Sequence, residues 1–510
     1  MKTLRLILGD QLNSEHSWLK TVDDSVIYCL FEMRQETDYV KHHIQKVVGF
    51  FAAMRSFASS LQEKGHNVVY FKINDPDNIQ NLTDNLNFLI KNHAVGQFEY
   101  MLPDEFRLNQ QLMKYCDSLS IQTAVTDSEH FYTSRTELSE FFEGKKLYLM
   151  ENFYRYMRKK HDILMSLGQP EGGQWNYDKS NRKKWKGDDN IPPHIPFDNQ
   201  VADIVRDIEK ANISNIGRME SSTIDYPINR EQALEQLDYF CKNLLVSFGD
   251  YQDAMRTDEV YLFHSRISFA LNIKLISPKE IVNEVLAYYR EHLANIDISQ
   301  VEGYVRQILG WREYMRGMYW HLMPEYKTMN RLGNQNKLPD FFWTGNTKMN
   351  CLKHSINNSL DNAYAHHIQR LMITGNYALL TQIDPDQVDN WYLGIYMDAI
   401  EWVQLPNTRG MSQFADGGLI ATKPYVSSAS YINKMSNYCA NCEYNKKEKI
   451  TENACPFNSL YWNFLDDKRE LLRKNRRMGM MYSLLDKFDR DDLAAIKEKA
   501  QHIIENPNEY

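Results

Sequence analysis

The sequence predicts two unlike halves: an N-terminal Rossmann-like α/β domain with a parallel sheet, and an all-α C-terminal domain. Three observations predict this. Strand and helix patterns alternate over the first 130 residues, the mark of a βαβ series. From about residue 231 onward the apolar spacing is helical almost throughout, and no strand series returns. Between them, residues 131–230 lose periodicity and carry turn-rich runs such as Gly168-Gln169-Pro170-Glu171-Gly172-Gly173 and Ile191-Pro192-Pro193-His194-Ile195-Pro196. The expected division is 1–130, a linker over 131–230, and 231–510.

In the first part, residues 4–8 and 26–31 read as strands. Residues 38–61 read as an amphipathic helix, with Val47, Phe50, Phe51, Met54, Phe57 and Leu61 at helical spacing, stopping at Gly65. Residues 68–72 and 100–102 read as further strands, with helices near 79–92 and 107–116. An open α/β sheet binds ligands beyond the carboxyl ends of its strands. Gly9 and Asp10 end the first strand; Phe31, Glu32 and Met33 end the second, with Glu36 and Tyr39 following. These groups converge on one crevice, although capping of the following helices is the simpler reading. No Gly-x-Gly-x-x-Gly follows the first strand, so the usual dinucleotide fingerprint is missing.

At 510 residues the chain is too long for one core. No run approaches the roughly 20 apolar residues that span a bilayer, and the N-terminus lacks a secretory pattern. The expectation is a cytoplasmic protein with no membrane contact. A net charge of −8 disfavours a general nucleic-acid binder. Two basic runs, Arg182-Lys183-Lys184-Trp185-Lys186 and 468–477, are nevertheless dense enough to track a phosphate backbone, or to form solvated helix faces.

Seven cysteines in such a chain argue against a disulfide framework. Cys29, Cys116 and Cys241 stand singly in apolar stretches and read as core filler. Cys439 and Cys442 form a Cys-x-x-Cys, Cys455 follows after twelve intervening residues, and Cys351 lies far upstream. Four thiolates suit structural zinc or an iron–sulfur cluster equally by ligand count. Pro456 directly after Cys455, and the distant fourth ligand, tilt the balance toward iron and sulfur.

Several segments resemble one family. Ser265-Arg266-Ile267-Ser268 with Leu271 resembles the flavin phosphate-binding motif of the photolyase and cryptochrome superfamily. The run from Gln307 to Gly310-Trp311-Arg312-Glu313 resembles its Trp-Arg-Glu motif. His366-His367-Ile368-Gln369-Arg370 resembles the histidine-bearing helix over the isoalloxazine, and Asp398 with Gln404 the acidic and N5-facing pair. With the four cysteines and Gly9-Asp10-Gln11-Leu12, the chain is similar to the bacterial iron–sulfur branch, which holds prokaryotic 6-4 photolyases and related cryptochromes.

The resemblance implies FAD folded among the helices and a 4Fe–4S cluster on Cys351, Cys439, Cys442 and Cys455. It also implies a 6,7-dimethyl-8-ribityllumazine antenna near Gly9, Asp10, Phe31, Glu32, Met33, Glu36 and Tyr39. It implies light-driven repair of 6-4 photoproducts in UV-damaged DNA by a monomer, with a blue-light photoreceptor as the alternative. His367 is expected to move the proton, because histidine titrates near neutrality, with His366 orienting it. Ser265, Ser268, Arg312 and Arg370 suit phosphate or flavin, and Asn407, Met411 and the nearby Arg409 the lesion pocket. Trp391, Tyr392 and Trp343 resemble the branch's electron-transfer chain. Gln404 stands where close relatives are expected to carry Glu; an amide hydrogen-bonds but cannot deliver a proton as an acid can. Asp178 or Asp253 is a candidate for a divalent ion, and His264 and His354 read as ordinary core histidines.

Overall fold

The computed structural model describes residues 2–187 and 190–510. Its N-terminal part is a five-stranded parallel sheet in the order β3-β2-β1-β4-β5. The strands are β1 (Lys2–Leu6), β2 (Val26–Phe31), β3 (Asn67–Phe71), β4 (Val95–Met101) and β5 (Gln122–Thr126). β2 is buried along its whole length, as its unbroken VIYCLF run requires for a strand covered on both faces. β5 was not expected from the sequence: its QTAVT stretch is nearly all exposed, so no apolar pattern marks it. The helices between strands are Ile44–Glu63, Leu82–His93 and Phe106–Ser118. The first begins later than the spacing suggested, because His43 caps it: its ring accepts the Gln45 N–H.

The strand order reverses on either side of β1, so the loops after β1 and β4 part and leave a crevice at their carboxyl ends. Gln11 holds that crevice in shape. Its side chain accepts the Leu8 N–H at 3.1 Å and donates to the carbonyls of Met101 and Leu102 at 3.3 and 3.2 Å, tying the β1 loop to the β4 loop.

Residues 131–230 are more ordered than their composition suggests. They contain helices Met150–His161 and Ala202–Lys210 and two short antiparallel pairs. The buried Arg158 guanidinium supplies part of the order, donating to the carbonyls of Ile163, Leu164 and Trp175. Beyond Ile224 the described residues hold no further named strand.

The helical part carries an unusual backbone feature. Three segments are π-helical: Arg306–Arg312, Arg370–Gly375 and Pro406–Ser412. A π turn inserts an extra residue and is most often found at functional sites. The last two pack against each other at Gly375, where a Cβ would come within 2.2 Å of Ser412 Oγ. No described helix is long and apolar enough to cross a membrane.

Candidate functional site

The first of two large cavities, about 150 Å³, opens at the sheet's reversal point. Gly9 and Asp10 after β1, Phe31 and Met33 after β2, Glu36 and Tyr39, and Asp104 and Glu105 after β4 line it. Phe50, Met54 and Leu108 supply apolar walls, so the lining is mostly hydrophobic with a few placed acids, as small-molecule sites usually are. Those acids are already engaged. Asp10 and Asp104 share the buried Lys274 ammonium at 3.1 and 2.9 Å, and Glu36 and Glu105 share Arg107 at 2.7 Å each. Burial, reinforced by Glu36 and Glu401 and opposed by Arg107, pushes the Glu105 carboxyl up to about 8. Burial likewise brings the Lys46 ammonium down to about 7.

Glu32 does not reach this cavity. Its buried carboxylate accepts two N–H groups of Arg55 at 2.7 and 3.0 Å, the Tyr70 hydroxyl and the Ile73 N–H. Side chains alternate along an extended strand end, so Phe31 and Met33 face the crevice while Glu32 turns away.

The second cavity, about 440 Å³, lies inside the helical part and is walled by all three π segments. Every flavin candidate lines it: Ser265, Ser268, Leu271, Gln307, Arg312, Arg370, Asp398, Gln404 and Asn407, together with Met411, Tyr392 and both His366 and His367. It is rich in buried polar atoms without protein partners. These include Nε and Nη1 of Arg312, Nε and Nη1 of Arg266, Nη2 of Arg306, Nε2 of His264 and both ring nitrogens of His366. A buried guanidinium with free donors is costly unless something accepts from it. Arg312 is fixed by His130, the Leu271 carbonyl and Asn272 at 3.1, 3.5 and 3.3 Å, and burial lowers it to about 10. These donors fit an anionic dinucleotide of FAD's chemistry.

Arg370 is not a free phosphate ligand. It forms a two-pronged pair with Asp398 at 2.9 and 3.2 Å and donates to the Ala365 carbonyl at 2.6 Å. Gln404 donates its amide to the Thr408 hydroxyl one turn on. Arg266 and Arg306 were not singled out in the sequence, although Arg266 sits inside the Ser-Arg-Ile-Ser motif. It stands before the Ser268–Asn272 helix with a left-handed φ of 56°, and its Nη2 pairs with Asp225 at 3.1 Å. His264 also proves to belong to the site: its ring stacks on His366 at 4.8 Å, and burial with the His367 charge brings it down to about 4. His354 instead stacks on Tyr438 away from the cavity.

His367 stands among dense protein yet its side chain is exposed to the cavity's solvent. Burial and the Arg370 charge depress it to about 4. Tyr392 lines the cavity, and Trp391 follows it with ring centroids 5.3 Å apart. Trp391 Nε1 donates to the Phe342 carbonyl at 3.0 Å, and the next residue, Trp343, is 42% exposed. At the mouth, Tyr425 lies within electrostatic reach of Asp178, Arg182, Arg477 and Asp253. One residue from each basic run therefore flanks the opening. Arg182 and Arg306 both pair with Asp178.

Among the described residues, no group of three or more His, Cys, Asp or Glu side chains is arranged to hold a metal ion. The divalent-ion reading of Asp178 and Asp253 therefore finds no ligand set. Cys351, Cys439, Cys442 and Cys455 do line one hollow, with Tyr438, Tyr444 and Phe457 around it. Burial pushes Cys439 and Cys455 up to about 11 and 12, and raises Cys351 well above the ordinary thiol range, the other three thiols adding to its rise. Of the other cysteines, Cys29 and Cys241 are buried and Cys116 is half-buried.

A parallel five-stranded sheet joined to a helical body that encloses a large cation-lined cavity defines the photolyase and cryptochrome class. Comparisons agree. Residues 5–223 match the family described as "Deoxyribodipyrimidine photo-lyase-related protein". A (6-4) photolyase of Agrobacterium fabrum is 41% identical over 505 residues, covering 98% of each chain. Two solved structures share the fold at 14% identity. A class III photolyase of Agrobacterium tumefaciens has a TM-score of 0.58 over 96% of this chain and 98% of its own. The Synechocystis cryptochrome has 0.55 over 81% and 82%. The chain belongs to the bacterial (6-4) photolyase branch of the photolyase and cryptochrome family, which is a family of FAD proteins.

Proposed function

We propose that this protein repairs 6-4 pyrimidine–pyrimidone photoproducts in DNA under blue light. The observation that carries the reading is the second cavity. It sets buried arginines that keep donors no protein atom accepts beside a cluster of three histidines, His264, His366 and His367. The (6-4) photolyase relative, matched along its whole length, supports the choice of lesion.

Arg312, Arg266, Ser265 and Ser268 would hold the phosphates of FAD, and the Arg370–Asp398 pair would hold its ring. Reduced FAD, once excited, supplies the electron that a photoproduct needs. His367 is held neutral in the resting site and open to solvent. It gains a proton when an anionic group of the lesion replaces water beside it, and then passes that proton to the substrate. His366, stacked on His264, orients it. Tyr392, Trp391 and Trp343 form a ring path from cavity to surface. A flipped-out lesion enters at Tyr425 and Met411 while Arg182 and Arg477 contact the flanking phosphates.

The four cysteines are assigned to a 4Fe–4S cluster. All four line one hollow, and Pro456 directly follows Cys455, as is common at the last ligand of iron–sulfur sites. A cubane keeps its thiolates on separate corners. The first cavity, with apolar walls and a few acids, suits the flat heterocycle of 6,7-dimethyl-8-ribityllumazine.

The test is illumination of the purified, reduced protein with an oligonucleotide carrying one 6-4 lesion, followed by chromatography of the strand. Restored thymines are the expected result. Unchanged lesions beside an intact flavin spectrum would overturn repair in favour of photoreception.

A further inference from the structure

The two large cavities share walls. Leu271 and Asn272 line the second, while Lys274, on the same turn, reaches the first. The Lys274 side chain is 1% exposed and donates to the Asp10 carbonyl at 2.7 Å and its carboxylate at 3.1 Å. It also lies 2.9 Å from Asp104, and both acids line the first cavity. A second segment does the same: Asp398 faces the second cavity, and the next two residues, Ala399 and Ile400, line the first. Asn272 donates to the Asp398 carbonyl at 2.7 Å, so the two shared segments are fastened together.

Buried charges of this kind hold only while every partner is in place. Lys274 also adopts a left-handed backbone, φ 68°, which lysine takes only where its surroundings demand it. The position of the turn 271–274 is thus set by the Asp10 and Asp104 carboxylates. That turn in turn sets Arg312, since the Leu271 carbonyl and the Asn272 side chain accept from its Nη2. Arg312 then presents its unpartnered Nε and Nη1 in the second cavity.

We propose that the Asp10–Lys274–Asp104 triad couples the two cavities, so that a heterocycle bound in the first tightens binding of a flavin dinucleotide in the second. Lys274 is a positioning residue: it touches neither ligand site's occupant, but holds the turn on which both depend. The coupling rests on the occupants given above. By linkage it is reciprocal, each ligand changing the other's affinity by the same factor.

The test uses the full chain, with 6,7-dimethyl-8-ribityllumazine titrated by fluorescence in the presence and absence of saturating FAD. The ratio of the two affinities is the readout. Wild type should bind the lumazine at least about threefold more tightly with FAD present, and the ratio should fall to one in Lys274→Met. Should that variant fail to fold, Asp10→Asn decides, because it loosens the triad without leaving two carboxylates unpaired; its ratio should also approach one. Binding of both compounds to wild type with a ratio of one overturns the coupling alone. So does a wild-type ratio in a folded variant. Failure of either compound to bind overturns the occupants and the coupling together.

Discussion

The two large cavities are built on opposite principles. In the first, each acid at the sheet's edge already has a cation beside it: Lys274 lies against Asp10 and Asp104, and Arg107 against Glu36 and Glu105. In the second, Arg266, Arg306 and Arg312 keep buried donors that no protein atom accepts, and His366 keeps both ring nitrogens free. A cavity whose charges are already paired suits a neutral ring. One that leaves guanidinium donors without an acceptor inside protein suits an anion.

The sharpest break between the two should come from the histidines of the second cavity. His367→Ala should lower light-driven repair by about 100-fold or more while flavin absorption is retained; full repair would show that His367 does not move the proton. Next comes the cationic wall. Arg312→Met removes charge-assisted hydrogen bonds worth about 1.5–3 kcal/mol, so FAD affinity measured by fluorescence should fall about 10- to 100-fold. Lumazine affinity should change far less.

Smaller effects belong to the mouth and to the first cavity. Arg477→Ala should weaken DNA uniformly across sequences and reduce the salt dependence of binding by about one ion. Glu105→Gln should be nearly silent below pH 7, because the carboxyl held up near 8 is already neutral there. As pH rises past 8 the wild-type carboxyl ionises, so lumazine release should appear in wild type and be absent from the Gln variant. Equal pH profiles would show that Glu105 is charged throughout.

The same contrast explains what could be read from sequence. The flavin candidates came from short motifs that resemble the photolyase and cryptochrome superfamily; they are scattered along the chain, and only the fold brings them to one cavity. The π segments carrying them were invisible, because an inserted turn has no period of its own. Arg266 and His264 were passed over because a lone cation or imidazole usually finds all its partners, and only the folded chain shows that Nε and Nη1 of Arg266 and Nε2 of His264 lack one. Glu32 was assigned to the crevice by its place at a strand end, where alternation sends it to Arg55 instead. The stretch 131–230 hid its order because Arg158 fastens it through backbone carbonyls, which any sequence offers.

The claim on which all this turns is that the second cavity's arginine donors left without a protein acceptor hold phosphate. Desalting the purified protein after loading with FAD or with riboflavin tests it directly. FAD should stay bound at one per chain while riboflavin, lacking the phosphates, washes out. Equal retention of the two would contradict the account.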